Sequence, residues 1–461
     1  MKKDILSKIT LMLTIAGLAS CSSMELPSLS SLSFTSHTKP TGHYNASLWA
    51  GTTSEIWNKL VRTSSAKLVT MEAQTTDPTQ KAWIQLALIT KRYSTNNAKL
   101  TQEVLAWKQQ NPSHPANAIL PNDGTLNNIT TAPTSKQIAV LIPEQGAYAS
   151  AGQAVRAGIM QAYYSHPGKL GVKFYDTTGA NLADLYQRAV SEGATFVIGP
   201  LTKEEVRDLS QSTSFSVLTL ALNYTDNSLP ANFYEFGLLP EDEAGQLAER
   251  ARKGGQSRAL IIAPQSAWGN RLVSTFTDRW EAMGGSISET WYFSANTNFN
   301  QTVPQLLHVN PNSVNPTTEQ NSSTAELAKK RRQDFDVIFL FSQPQYARQI
   351  VPLLRYYYVN NVPIYATSAV YSGKPNPTKD VDIEGVIVCD IPWGSNGSND
   401  TVKSDRLFAV GQDAYLLSQT LTRLINMPKF PIYGKTGALT LGSDHKIHRS
   451  LPCKSIRNGQ I

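Results

Sequence analysis

The stretch "ATFVIGPLTKEEV", Ala194 to Val206, joins an apolar run to Gly-Pro and then to a helix-like segment that begins at Thr202. A strand feeding a helix N-terminus leaves backbone N–H groups unpaired at the turn, and such a turn can hold a carboxylate or a phosphate. Three further polar positions stand where a cleft would place them: Tyr148 in the loop "EQGAYAS", and Asn223 and Tyr224 after "LTLAL". A small-molecule receptor needs a cleft with a few convergent polar groups of this kind. Thr202 also has a reading without any ligand, because its hydroxyl can accept from a first-turn N–H and cap the helix.

Catalytic chemistry finds little support. The chain contains no G-x-S-x-G elbow, H-E-x-x-H or phosphate-binding Walker loop. Asp444, His445 and His448 lie in a turn near the chain end, whereas a metal wants three or more ligands fixed by packed elements. Asp176 and Asp336 stand at strand ends, where carboxylates cap turns and helices. Glu144, in the first loop of the α/β part, has no partner that the sequence identifies. The expectation is a protein that is not an enzyme and uses no metal and no cofactor.

The cysteines say more. Cys21 closes "LASC" after an apolar run, "ITLMLTIAGLAS", flanked by Lys2, Lys3 and Lys8. The run has the shape of a secretory h-region and is too short to span a bilayer comfortably. "LASC" resembles the lipobox of bacterial lipoproteins, so residues 1–20 read as a lipoprotein signal peptide and Cys21 as the lipidated N-terminus. Ser22 and Ser23 follow with no Asp at the second position, a pattern similar to that of lipoproteins sent to the outer membrane, facing the periplasm. Cys389 and Cys453 then remain in an oxidising compartment, either as a bridge or as two separate thiols, one of them a small core hydrophobe.

The elements that position these residues fall into blocks. Residues 21–45, rich in Ser and Thr with little charge, read as a flexible tether. Residues 46–120 carry helical periodicity, with Asp77 as N-cap and Pro78 at the first helical position. Two or three antiparallel helices form a short all-α, TPR-like helical-repeat segment that must lean on a neighbour. Residues 121–136 read as a linker. From 137 to 461, unbroken apolar strands alternate with amphipathic helices, which argues for parallel sheets covered on both faces. The rhythm restarts midway, giving an α/β domain of two lobes in which the chain crosses between the lobes more than once. The net charge of +7 over 461 residues is spread out apart from Lys329-Lys330-Arg331-Arg332, a solvated run, so nucleic acid is not an expected partner.

The ordered α/β part resembles type I periplasmic binding proteins. "IAVLIPEQGAYASAGQAVRAGIMQAYY", with Gly152 and Gly158, is similar to their opening strand, loop and helix, and "VIGPLT" to their third strand and ligand-side turn. With the lipobox, the segment "LAWKQQNPSHPA", the block "ARQIVPLLRYYYVNNVPIYATSAVYSG" and the terminal "GALTL" hairpin, the chain resembles the LpoA/LppC-type outer-membrane lipoproteins. Its helical segment is far shorter than the helical-repeat domain of that family. The resemblance implies a non-catalytic lipoprotein that binds and activates a bifunctional class A penicillin-binding protein and stimulates peptidoglycan cross-linking. It also implies that Tyr148, Thr202, Asn223 and Tyr224 line a vestigial cleft. Exposed aromatic and Arg anchors would contact the partner; Arg355, Tyr356, Tyr357 and Tyr358 supply candidates, some of the tyrosines facing the core. In such a fold the terminal hairpin returns beside "GVIVCDIPW", and Cys389 and Cys453 can bond if their Cα atoms lie about 4.4–6.8 Å apart. The alternative on the same fold is a lipid-anchored solute-binding receptor for a small ligand such as an amino acid or muropeptide; outer-membrane anchoring argues against an importer.

Overall fold

Capping residues fix where each N-terminal helix starts. Helix α1 (Thr53–Arg62) opens at Thr52, which forms a reciprocal capping box with Glu55. Ser64 caps α2 (Ser65–Gln74), Asp77 with Pro78 opens α3 (Pro78–Arg92), and Asn96 caps α4 (Asn97–Gln110). The segment has four helices rather than two or three, because Thr63 and Ser64 divide "EIWNKLVRTSSAKLV" into two. In this computed structural model the described residues are 48–126, 137–165, 171–212, 214–310, 329–372, 376–392 and 406–460. The expected signal peptide, Cys21 and the tether lie outside them. The helical core includes Trp57, Trp83, Trp107 and, beyond the expected boundary at 120, Leu126. Residues 121–126 therefore pack with the helices instead of starting a linker, and 127–136 lie outside the described residues.

Lobe 1 is a parallel sheet of β1 (Gln137–Ile142), β2 (Gly171–Asp176), β3 (Phe196–Ile198), β4 (Leu218–Ala221) and β5 (Phe233–Glu235), in the order β2-β1-β3-β4-β5. Alternate residues of β1 serve opposite layers. Ile138, Val140 and Ile142 face α5 (Ala149–Ser165), while Ala139 and Leu141 join the core of α6 (Leu182–Ser191) and α7 (Lys203–Ser212). Both faces of the sheet are covered, which is why its strands lack polar alternation.

Lobe 2 repeats the plan. Its strands β6 (Arg258–Pro264), β7 (Ser286–Phe293), β8 (Val337–Leu340), β9 (Ile364–Thr367) and β10 (Ile387–Cys389) pair in parallel in the order β10-β9-β8-β6-β7. Helices α8 (Pro240–Lys253) and α9 (Ala267–Ala282) cover one face. Helices α10 (Phe299–Leu306) and α11 (Pro344–Tyr356) cover the other, followed by the single turn α12 (Pro377–Asp380).

The chain then returns to lobe 1 as α13 (Arg406–Asn426), which packs along α5. A Cβ on Gly158 would stand 2.0 Å from the Phe408 carbonyl oxygen, and one on Gly411 2.2 Å from that of Val155, so the two glycines let the helix backbones touch. An antiparallel sheet of β11 (Ile432–Tyr433), β12 (Ala438–Leu441) and β13 (Ile447–Ser450) follows and meets the edge of β5 through Glu235 and Lys446. Finally β14 (Cys453–Ser455) goes back to lobe 2 and pairs antiparallel with β10. The lobes are thus joined by crossings between β5 and α8, between β10 and α13, and between β13 and β14.

Strand β14 sets Cys453 opposite Cys389, and the two form a disulfide with their Cα atoms 3.9 Å apart. This is closer than the range expected from sequence. The neighbouring Asp390 N–H donates to the Pro452 carbonyl at 3.2 Å, so Cys389 and Cys453 occupy the non-hydrogen-bonded position, where antiparallel strands approach most closely.

Candidate functional site

Strand β3 runs into Gly199–Pro200, a cis peptide. Gly199 has φ +102° and no room for a side chain, since a Cβ would stand 2.0 Å from the Leu141 carbonyl oxygen. Helix α7 then begins with its donors met from within. Glu205 N–H donates to Thr202 Oγ1 at 3.3 Å and Thr202 N–H donates to Glu205 Oε2 at 3.1 Å, a capping box. A carboxylate of the chain itself thus occupies the turn where an external anion would dock.

Asn223 and Tyr224 follow β4 and are also engaged internally. Asn223 Nδ2 donates to the Leu201 carbonyl at 3.1 Å, and its Oδ1 accepts from Tyr224 N–H at 3.0 Å. The buried Tyr224 hydroxyl donates to the Ile447 carbonyl at 2.8 Å and accepts from Gly237 N–H at 3.0 Å. Burial pushes its pKa far upward.

Asn223 and Tyr224 line a pocket of about 460 Å³ between lobe 1, the start of α8, α9 and the β12–β13 turn. Tyr148 and Thr202 are not among its lining residues, so the four do not form one cleft as expected. Tyr148 sits exposed on the single turn Gly146–Tyr148. That loop is tied to the end of β2, where Asp176 accepts from Glu144 N–H at 2.9 Å and from Gln145 Nε2 at 3.0 Å. Those bonds, with the Thr178 hydroxyl first among them, hold the Asp176 carboxyl down at about 2. Glu144 has a partner after all, Arg156 on α5.

Charge in the pocket is matched at short range. Lys203 faces Asp226 at 3.5 Å and Arg271 faces Glu241 at 2.9 Å. Lys446 donates to the Thr225 carbonyl at 2.6 Å and lies 3.7 Å from Glu235. His448 Nδ1 lies 2.9 Å from Asp242 and Nε2 3.6 Å from Asp444, and the bond to Asp242 above all raises the imidazole pKa. A charged ligand of either sign would have to replace one of these partners, and the pocket presents little net field to select it.

The lobe crossings carry a buried ionic network that sequence reasoning missed. Glu243, on α8, accepts from Ser368 N–H at 2.8 Å and from its hydroxyl at 3.0 Å, and lies 3.6 Å from Arg449. Burial lifts its carboxyl to about 7, against the opposing pull of Arg449. Arg406 grips Asp390 with two bonds of 3.0 and 2.6 Å and donates to the carbonyls of Ser368 and Tyr371. Gln246 binds the third crossing, donating to the Arg449 carbonyl at 2.8 Å and accepting from Leu451 N–H at 2.6 Å. An acid, Asp390, inside the apolar run "GVIVCDIPW" was the available signal, but its Arg partner lies sixteen residues on.

On α11 the proposed aromatic patch shrinks. Tyr356 is 50% exposed and Arg355 half-buried, whereas Tyr357 and Tyr358 are 6% and 4% exposed and belong to the lobe 2 core. The helix ends at Tyr356; Tyr357 is its C-cap and Tyr358 turns with φ +70°, so the chain leaves the helix there and carries both rings into the core. The contact reading is corrected to Arg355 and Tyr356.

The profile of a family described as "LppC putative lipoprotein" matches residues 49–459. The penicillin-binding protein activator LpoA of Photobacterium profundum is 26% identical over 423 residues, which cover 86% of this chain and 68% of that protein. The solved C-domain of LpoA (YraM) from Haemophilus influenzae, described as a regulator of PBP1A, superposes with a TM-score of 0.56 at 23% identity, covering 70% of this chain and 98% of that one. A structure described as "a putative branched-chain amino acid ABC transporter" from Chromobacterium violaceum gives a TM-score of 0.54 at 27% identity, covering 69% of this chain and 99% of that one. Both neighbours share the two-lobed α/β architecture.

Proposed function

The chain belongs to the LppC lipoprotein family, and from that premise we propose that it binds and activates a bifunctional class A penicillin-binding protein, raising its cross-linking of peptidoglycan. It acts as a regulator, not a catalyst. The observation that carries this reading is the state of the cleft: Glu205, Ile447 and the ion pairs around Asn223 and Tyr224 already satisfy the groups that a solute would use. Activation needs no such pocket, only a surface that favours the active state of the partner. Arg355 and the exposed Tyr356 are the proposed contacts, as aromatic and Arg side chains commonly anchor interfaces.

We further propose that Cys21 carries the lipid and holds the protein at the outer membrane facing the periplasm, with residues 21–45 as the tether. Among the described residues no helix is long and apolar enough to cross a membrane. Mass spectrometry of membrane fractions should find an acylated N-terminal Cys21; a mature form starting elsewhere would overturn the anchor.

The test of function is reconstitution. The chain without residues 1–20, added to the cognate synthase with lipid-linked precursor, should raise the number of peptide cross-links, and Tyr356→Ala should weaken the effect. A folded protein that neither binds nor changes cross-linking sinks the proposal. The likeness to the transporter protein and the pocket beside Asn223 favour a second reading, a receptor for an amino acid or muropeptide. Saturable calorimetric binding of either, abolished by substitution at Asn223, would establish it.

A further inference from the structure

A second pocket, of about 500 Å³, lies where α1 of the helical segment meets α8 and α9 of lobe 2. Lys59, Arg62, Arg252, Lys253 and Arg279 line it with two carboxylates, Glu55 and Glu249, an excess of three positive charges. Helices α1, α8 and α9 each bring basic residues of their last turn to it. The partial negative charge of a helix C-terminus, roughly half a unit each, offsets about half of that excess. The pocket stays electropositive.

Its partners are unevenly shared. Glu55 is taken up by the cap, accepting from Thr52 N–H at 2.7 Å and from the Thr52 hydroxyl at 3.0 Å. Arg252 is spent on the carbonyls of Met283 and Gln256. Glu249 therefore serves Arg62 on one wall and Arg279 on the other, the latter at 2.5 Å, with Lys253 at 3.9 Å. Each guanidinium touches this carboxylate through a single nitrogen, although its planar fork suits two parallel bonds to one oxyanion.

We propose that this pocket is an oxyanion-binding site, taking a compact phosphate or carboxylate group of a small ligand between Arg62 and Arg279, beside Glu249. Glu249 is then an internal competitor that holds the two arginines ready. The site is separate from the cleft and does not depend on the activator role, because it is read by binding to the isolated protein.

Calorimetry with pyrophosphate and with tricarballylate, on the chain without residues 1–20, tests it. Saturable binding at millimolar concentration that weakens with added salt is expected for at least one probe. A preference for pyrophosphate points to a phosphate-bearing ligand and a preference for tricarballylate to a carboxylate-bearing one. Arg279→Gln should weaken binding by about tenfold, the loss of one charged hydrogen bond. Lys253→Gln, on a side chain that is 67% exposed and tolerant of change, should weaken it by a smaller factor. Glu249→Gln should tighten it, whereas a merely structural Glu249 would lower stability and leave binding unchanged. Absence of saturation with both probes, or affinity indifferent to Arg279→Gln and Lys253→Gln, overturns the proposal.

Discussion

Two junctions of this molecule are built from opposite materials. Where the helical segment meets lobe 1, Trp57 packs against Phe430 with ring centroids 4.7 Å apart and planes tilted by 41°, and lies near Trp83, while its indole N–H donates to the Lys429 carbonyl at 2.8 Å. Met427 joins the same core, and Arg423, fully buried, donates to the Ser94 carbonyl at 2.8 Å. Where the two lobes face each other, His448 and Arg449 of lobe 1 meet Asp242 and Glu243 of lobe 2, at 2.9 and 3.6 Å, beside a water-accessible pocket. An apolar junction derives its strength from area and fixes the helical segment as part of one body. A polar junction of matched charges adds little stability on its surface but specifies position through its buried members. The helical segment leans on a neighbour as its few repeats require, and that neighbour is the far end of its own chain.

The comparison can be broken most forcefully at the apolar junction. Trp57→Ala removes a fully buried side chain and should cost about 3–5 kcal/mol, seen as a lower denaturant midpoint with one transition. Two separate transitions would show that the helices and lobe 1 are independent bodies.

Next in size is the bridge that secures the last crossing. Cys389 and Cys453 close a span of 64 residues, and Cys389→Ser with Cys453→Ser should lower stability by about 2–4 kcal/mol. A melting temperature indifferent to reductant would count against the bond.

A subtler change is expected at Glu243. Its folded carboxyl lies at about 7 instead of the ordinary 4.5, so between those values the folded chain holds a proton that the unfolded chain has released. The stability this group contributes is present below 4.5 and is lost as the pH rises towards 7. Glu243→Gln stays neutral, so from about pH 5 to about pH 8 the stability difference should drift in favour of the variant. A difference that is flat with pH would mean that Glu243 is ionised throughout.

The smallest effect sharpens the reading of the cleft. Thr202→Ala removes one half of a capping box and should cost about 1 kcal/mol while leaving stimulation of cross-linking unchanged. Loss of stimulation in a folded variant would put the turn back among working sites.

Much of the architecture is legible in local chemistry. Asp77-Pro78 announces a helix start, the alternation of apolar strands and amphipathic helices announces parallel sheets, and Thr202 caps α7 as its side chain predicts. What escapes is whatever depends on distant partners. The short β5, "FYE", has no periodicity of its own and exists because β4 offers an edge. The contact of Gly158 with the backbone of α13 pairs residues some 250 positions apart, and nothing local in "AVRAGIMQ" specifies it. The cleft was the least legible part. Tyr148, Thr202, Asn223 and Tyr224 have suitable types and positions, but whether such groups are free for a ligand depends on Glu205, Ile447 and Gly237, and a sequence does not display those bonds.

The three crossings also have a consequence for the order of assembly. Lobe 1 lacks the second of the two helices that cover one face of its sheet, the partner of α5, until residues 406–426 are available, and lobe 2 lacks its edge strand until 453–455 arrive. The helical segment, first in the chain, waits for Met427 and Phe430 to complete its core. No block of the chain can finish folding before nearly all of it is present. On the export route proposed above, this wiring would delay completion of the fold until transit is almost over.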